Sequence, residues 1–227
     1  MGRGNGHEEG YVTERNLTEK SEEWLSEVRE LTRRGFEFGP EGSALLVIDM
    51  QRYFLSPDSH AYLPAARAMI HNVNELIRTF REAGRPIIFT RHAYMKDEDP
   101  GIMGRWWADN IMDDDLVSQI DPALDLIPED IVIRKTRYNA FYGTDLEDEL
   151  NKRQVKEIVI TGVMTHLCCE TTAREAFTRD YEVYFTVDGT ATADEEFHIS
   201  SIRNLAHGFA IPVSCAQILS RFKGNLN

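Results

Sequence analysis

The segment GVMTHLCCETTAREAF, residues 162–177, places Cys168 and Cys169 side by side at the start of a helical stretch, in a chain whose only other cysteine is Cys215. Such a pair could be metal ligands, a disulfide, core packing, or a nucleophile beside a packed neighbour. Adjacent cysteines rarely bridge, because the ring strains the peptide between them, and an odd cysteine count makes no disulfide framework. Reduced thiols are therefore expected. Counted along the helix from Cys169, residues Cys169, Ala173, Ala176 and Phe177 have the spacing of a buried stripe, which assigns Cys169 to the core. Cys168 is displaced by about 100° and shares its face with Thr172, Glu175 and Arg179. At a helix start, unpaired N–H groups and the helix dipole favour a thiolate, as does a nearby lysine, so Cys168 is the reactive candidate. Thr165 is placed to cap the helix, and the free amides of this turn could form an oxyanion hole.

Two other residues able to do chemistry close apolar runs elsewhere. Asp49 ends ALLVID (44–49) and Lys135 ends IVIRK (131–135), where it shares the parity of Ile131 and Ile133. A carboxylate, an ammonium and a thiol supply what acyl transfer from an amide needs: a proton shuttle, a charge partner and a nucleophile. His166 is a rival base by proximity, although residues at i and i+2 need not face each other. Gln51 could orient substrate or Asp49. Arg91, Trp106, Trp107, Tyr138, Phe141 and His166 are candidates for the pocket wall, while Cys215, in PVSCAQIL, reads as core.

These residues sit on a regular frame. Short apolar runs at 44–49, 86–91, 131–135, 157–162, 182–188 and 210–214 read as strands. They alternate with helical stretches at 66–80, 144–153, 168–180 and 194–207. Such alternation predicts right-handed crossovers and a three-layer α/β/α fold with a parallel sheet of about six strands. Ligands collect beyond the carboxyl ends of such strands, where Asp49, Lys135 and the cysteine turn all fall. The stretch 93–128 is a long, acidic and aromatic insertion of the kind that forms a lid or binding loop. Residues 18–35 predict an accessory helix with Trp24, Val28 and Leu31 on its apolar stripe, Ser21 as N-cap and Gly35 as stop. Residues 1–40 thus read as an N-terminal extension and 41–227 as the main domain.

The 25 basic and 38 acidic residues give a net charge of -13, which disfavours nucleic acid and anionic membrane surfaces and leaves a small molecule as the expected partner. No apolar run nears the roughly 20 residues of a membrane span, and the polar start has no signal h-region, so a cytoplasmic protein is expected.

The runs LLVIDMQ, VIRKTRYNAFYGTDLE and ITGVMTHLCCETTAREAF resemble the isochorismatase-like cysteine hydrolases, a family that includes nicotinamidases, N-carbamoylsarcosine and ureidoacrylate amidohydrolases, and isochorismatases proper. The resemblance spans roughly residues 43–218. It implies a catalytic triad of Asp49, Lys135 and Cys168, a cis peptide between Val163 and Met164, and an oxyanion hole from the N–H groups of Met164 and Cys168. It also implies a homodimer or homotetramer. The metal-binding histidines of the family's nicotinamidases are not matched: Gln51 follows Asp49, and His60, His71 and His92 lack ligand spacing. No metal or other cofactor is expected, which counts against nicotinamide as substrate. Vinyl-ether hydrolysis, the isochorismatase reaction, is the alternative; TH before the cysteine and YNAF after the lysine resemble that branch, whereas Cys168 itself favours the amidohydrolases.

Overall fold

All six residues of the first strand, β1 (Ser43–Ile48), are buried, as a central strand covered by helices on both faces requires. The computed structural model describes residues 10–32 and 35–224. The remaining strands are β2 (Ile87–His92), β3 (Ile131–Lys135), β4 (Glu157–Val163), β5 (Glu182–Ala191) and β6 (Ile211–Val213), all parallel in the order β3-β2-β1-β4-β5-β6. The order reverses between β1 and β4. That is the topological switch point of a doubly wound sheet, where a crevice opens at the carboxyl ends.

Nine α-helices connect the strands of the described residues: α1 (Leu17–Val28), α2 (Arg52–Leu55), α3 (Pro64–Ala68), α4 (Ile70–Glu82), α5 (Gly101–Trp107), α6 (Leu146–Lys152), α7 (Glu170–Thr178), α8 (Glu195–Gly208) and α9 (Cys215–Lys223). Helix α4 packs on α9 and the sheet, and α8 packs on α7 and α1, giving three layers. Sequence chemistry sets several boundaries. The Asp194 carboxylate accepts from the Glu196 N–H at the start of α8, and Ser214 and Gln217 form a reciprocal capping box at the start of α9. No described helix is long and apolar enough to cross a membrane.

Four local expectations change. Helix α1 starts at Leu17, with Asn16 at the cap position, so Ser21 is a buried interior residue. It closes at Val28, whose carbonyl accepts from both the amide and the hydroxyl of Thr32, well before Gly35. The single helix expected over 66–80 is two, α3 and α4, broken at Met69, where ψ is -3°. The fourth concerns the cysteine stripe: Cys169, Ala173 and Ala176 are fully buried, but Phe177 is 49% exposed. Phe177, eight residues on from Cys169, lies about 80° round the helix at the edge of the stripe and meets Phe209 there; a π-helical turn, Thr165–Cys169, precedes α7. The extreme N-terminal stretch, residues 1–9, read as polar in sequence, lies outside the described residues.

Candidate active site

Asp49, Lys135 and Cys168 converge where β1, β3 and the turn after β4 end together. Asp49 follows β1 in a left-handed conformation, φ 50°, which aspartate tolerates better than most side chains and which turns its carboxylate out of the strand alternation. Its Oδ2 lies 2.6 Å from Lys135 Nζ, with both side chains fully buried. Its Oδ1 accepts from the Thr90 hydroxyl at 2.7 Å. Lys135 Nζ also donates to Cys168 Sγ at 3.3 Å and to the Arg137 carbonyl at 3.0 Å. Two hydrogen bonds and the ion pair with Asp49 compensate a cation buried this deeply.

The close approach of β1 and β4 depends on Gly162. It has φ 112° and pairs with Ile48, and a Cβ there would stand 2.0 Å from the Ile48 carbonyl oxygen. Any side chain would push β1 away next to Asp49. The peptide between Val163 and Met164 is cis, as the resemblance implied. Thr165 does not cap the turn; its hydroxyl is bonded to His198 Nδ1 at 2.9 Å. Cys168 opens onto the pocket, while Cys169 is wholly enclosed.

The helix-start environment does not make Cys168 a thiolate at rest. Burial pushes its thiol up to about 12; Lys135 pulls it down, while the Asp49 carboxylate and its hydrogen bond to the thiol push it up again. For Lys135, burial works against the charge, but Asp49 and Cys168 outweigh it and the net shift is upward. Both shifts predict alkaline lability. The unfolded thiol ionises near 9.0, so stability falls as pH rises from there toward the folded value of about 12. The Lys135 contribution is fully present below 10.5 and is lost as pH rises through its higher folded value. Calorimetry between neutral pH and pH 10.5 is expected to give a thermal midpoint that falls once pH passes about 9, less steeply in Cys168→Ala than in the parent.

A cavity of about 460 Å³ opens onto Cys168, Asp49 and Met164. Its walls are aromatic: Tyr53, Phe54 and Tyr62 from α2 and the loop after it, Tyr94 and Trp107 from the insertion, and Tyr138 beyond β3. The indole N–H of Trp107 donates to the Tyr138 hydroxyl at 2.6 Å, joining two of these walls. At the mouth, Asp109 accepts from Tyr53 at 2.5 Å and pairs with His60 at 2.7 Å. No lysine or arginine lines the cavity among the described residues. His92 lines it with a buried, unpartnered Nδ1, and its pKa is lowered to about 4, first by burial and then by Lys135.

Of the six wall candidates read from sequence, Trp107 and Tyr138 line the cavity and four do not, and neither does Gln51. Gln51 is fully buried and spends its amide on backbone, donating to the carbonyls of His92 and Ser118 and accepting from the His92 N–H. Arg91 is paired with Asp113 at 2.6 Å and donates to Ser118. Trp106 is 75% exposed on the outer side of α5. Phe141 packs beside Tyr181 under Arg179, and His166 stacks on Phe197 while bonded to Thr192, so neither reaches the thiol. The lining residues not read from the sequence as such, chiefly Tyr53, His92, Tyr94 and Asp109, stand at or beyond the carboxyl ends of β1 and β2. That placement was the available signal.

The residues present do not fit a bound metal of the kind the family's nicotinamidases hold. Asp49 is committed to Lys135, the Gln51 amide is bonded to backbone, and no group of three or more His, Cys, Asp or Glu among the described residues could hold an ion.

A doubly wound α/β sheet thus carries a buried carboxylate–ammonium–thiol cluster at its switch point. The sequence profile of the isochorismatase domain matches residues 43–217, and the chain belongs to that family. It is 39% identical over 188 residues to Nicotinamidase 3 of Arabidopsis thaliana, covering 81% of this chain and 90% of that protein. It is 28% identical over 186 residues to a ureidoacrylate amidohydrolase of Caulobacter segnis, covering 70% of this chain and 76% of that one. Among solved structures it resembles a cysteine hydrolase from Pseudomonas syringae pv. phaseolicola, with a TM-score of 0.80 and 25% identity, covering 86% of this chain and 97% of the other.

The two cysteines are expected to separate cleanly on mutation. Cys169→Ala should leave turnover within an order of magnitude and cost about 1 kcal/mol of packing, read from denaturant unfolding. An inactive Cys169→Ala beside an active Cys168→Ala would reverse the assignment.

Proposed function

We propose that the chain hydrolyses the C–N bond of a small, flat, uncharged amide through a thioester on Cys168. The observation that carries this reading is the contact of Lys135 Nζ with both Asp49, at 2.6 Å, and Cys168, at 3.3 Å, at the floor of the cavity. Asp49 accepts the thiol proton as Cys168 Sγ attacks the carbonyl carbon. The oxyanion is received by the N–H groups of Met164 and Cys168; the Met164 N–H has no hydrogen-bond partner among the described residues. Asp49 then gives the proton to the departing amine as the C–N bond breaks. Water, losing a proton to Asp49, attacks the thioester; the acid leaves and the thiol is restored. Lys135 compensates the buried carboxylate throughout, and the high resting pKa of Cys168 means that proton transfer accompanies attack.

The cavity supports an uncharged substrate. Its charged lining is Asp49 and Asp109, no lysine or arginine among the described residues lines it, Lys135 beneath it is committed to Asp49, Cys168 and the Arg137 carbonyl, and His92 is neutral at physiological pH. Aromatic walls suit stacking on a planar ring or conjugated amide. Nicotinamide is such a compound, and the relative named a nicotinamidase agrees; the missing metal histidines counted against it, but stacking and one hydrogen bond from His92 need no metal. Isochorismate is a dicarboxylate, which the cavity has no cation to bind. An ammonia-release screen is expected to give kcat/KM at least about 100-fold higher for heteroaromatic carboxamides than for carboxylate-bearing carbamoyl or ureido compounds. The opposite preference would refute the substrate class.

A further inference from the structure

We infer that Thr165 and His198 form a buried strut fixing the turn that carries Cys168, and that Tyr11 and Trp24 of the N-terminal segment hold this strut from behind. The inference rests on Cys168 being the reactive group. The turn Thr165–Cys169 is π-helical, with the Cys169 N–H reaching the Met164 carbonyl, so its shape depends on tertiary partners more than a regular α-helical start does. Its first residue, Thr165, is bonded to His198 Nδ1 at 2.9 Å, and His198 Nε2 lies 3.0 Å from the Val187 carbonyl. A carbonyl only accepts, so Nε2 carries the hydrogen, Nδ1 is the acceptor, and the Thr165 hydroxyl donates. Both residues are fully buried. One imidazole thus ties the catalytic turn to the core of β5 through α8. Burial lowers its pKa to about 4, so the strut keeps one protonation state through the neutral range.

The far face of that imidazole is covered by the N-terminal segment. The Trp24 indole meets it edge-on at 4.5 Å and the Tyr11 ring lies at 5.7 Å. Trp24 Nε1 donates to Glu195 at 3.0 Å, Lys20 pairs with the same carboxylate at 3.2 Å, and the Tyr11 hydroxyl accepts from the Thr192 N–H. The segment therefore grips the first turn of α8, three residues before His198. It acts on the site through positioning residues, not by touching substrate.

Thr165→Val keeps the shape and removes the hydroxyl, and Thr165→Ser keeps the hydroxyl. On an amide turned over by the parent, Thr165→Val is expected to lower kcat at least about tenfold with KM within about threefold, and Thr165→Ser to stay within about threefold of the parent. Trp24→Ala should shift kcat in the same direction, again with little change in KM. The rate of Cys168 alkylation by iodoacetamide, mapped by peptide mass spectrometry, should change in Thr165→Val and return in Thr165→Ser. This readout needs no substrate, so it judges the strut even if amide turnover is absent. Imidazole nitrogen shifts of the parent, labelled in histidine, should show His198 as the Nε2–H tautomer at pH 7, which keeps the inference testable if a variant does not fold. A folded Thr165→Val with parental kcat and alkylation rate, or an Nδ1–H tautomer, would overturn the strut. Trp24→Ala losing thermal stability at unchanged kcat would overturn the part given to the N-terminal segment.

Discussion

Cys168→Ala is expected to lower amide turnover by at least about 10³-fold while leaving the protein folded. The proposed nucleophile has no substitute: Cys169 is enclosed behind it, and His166 is turned away onto Phe197 and Thr192. The stability change should be small, because the variant deletes one small side chain whose thiol is already held against its ionised form. The same variant separates the two reactions open to this family's architecture. A vinyl ether can be cleaved by protonation from Asp49 with no covalent step, so an isochorismatase would keep much of its rate. Steady-state kinetics on the best amide from the screen, with circular dichroism to verify folding, distinguishes these outcomes.

Lys135→Met is expected to cost both activity and stability. It leaves the Asp49 carboxylate in a site where neither member of the pair has any solvent exposure. Removing one partner of a buried ion pair typically costs about 3–5 kcal/mol, because the remaining charge is uncompensated. For a chain of this size that corresponds to a thermal midpoint lower by roughly 6–20 °C. Asp49→Asn combined with Lys135→Met should recover part of that stability, since a neutral amide needs no counter-charge and asparagine tolerates the left-handed backbone at this position, and should remain inactive. A Lys135→Met protein as stable and active as the parent would remove the ion pair from the mechanism.

The frame of the site was legible in the sequence because buried parallel strands leave a strong mark. ALLVI and IVI of the central strands β1 and β4 are buried on both faces, the edge strand β3 keeps an apolar run although Val132 is exposed, and each of the six strands begins and ends within a few residues of its expected bounds. Asp49, Lys135 and Cys168 could be placed together because each follows a strand whose carboxyl end must lie at the same edge. Local periodicity failed where tertiary contacts override it. Phe177 was counted on the stripe of Cys169, but eight residues on it lies about 80° round the helix, at the stripe's edge, where it meets Phe209 at the surface. Gln51 and Arg91 stand near the right strand ends, but hydrogen bonds to loop backbone and to Asp113 turn them from the cavity. Tyr53 from α2, His60 from the loop after it and Asp109 from the insertion lie far apart in sequence, and no spacing rule brings them together.

The central claim is that the acyl group passes through Cys168, and acid quenching during turnover tests it most directly. Intact-protein mass spectrometry of enzyme mixed with excess amide and quenched in acid should show a fraction heavier by the mass of the acyl group less one hydrogen. Fragmentation of the peptide spanning residues 157–174 should place that mass on Cys168. Continued turnover with unmodified protein at every quench time and at several pH values, or with the acyl group on Cys169 instead, would contradict the account.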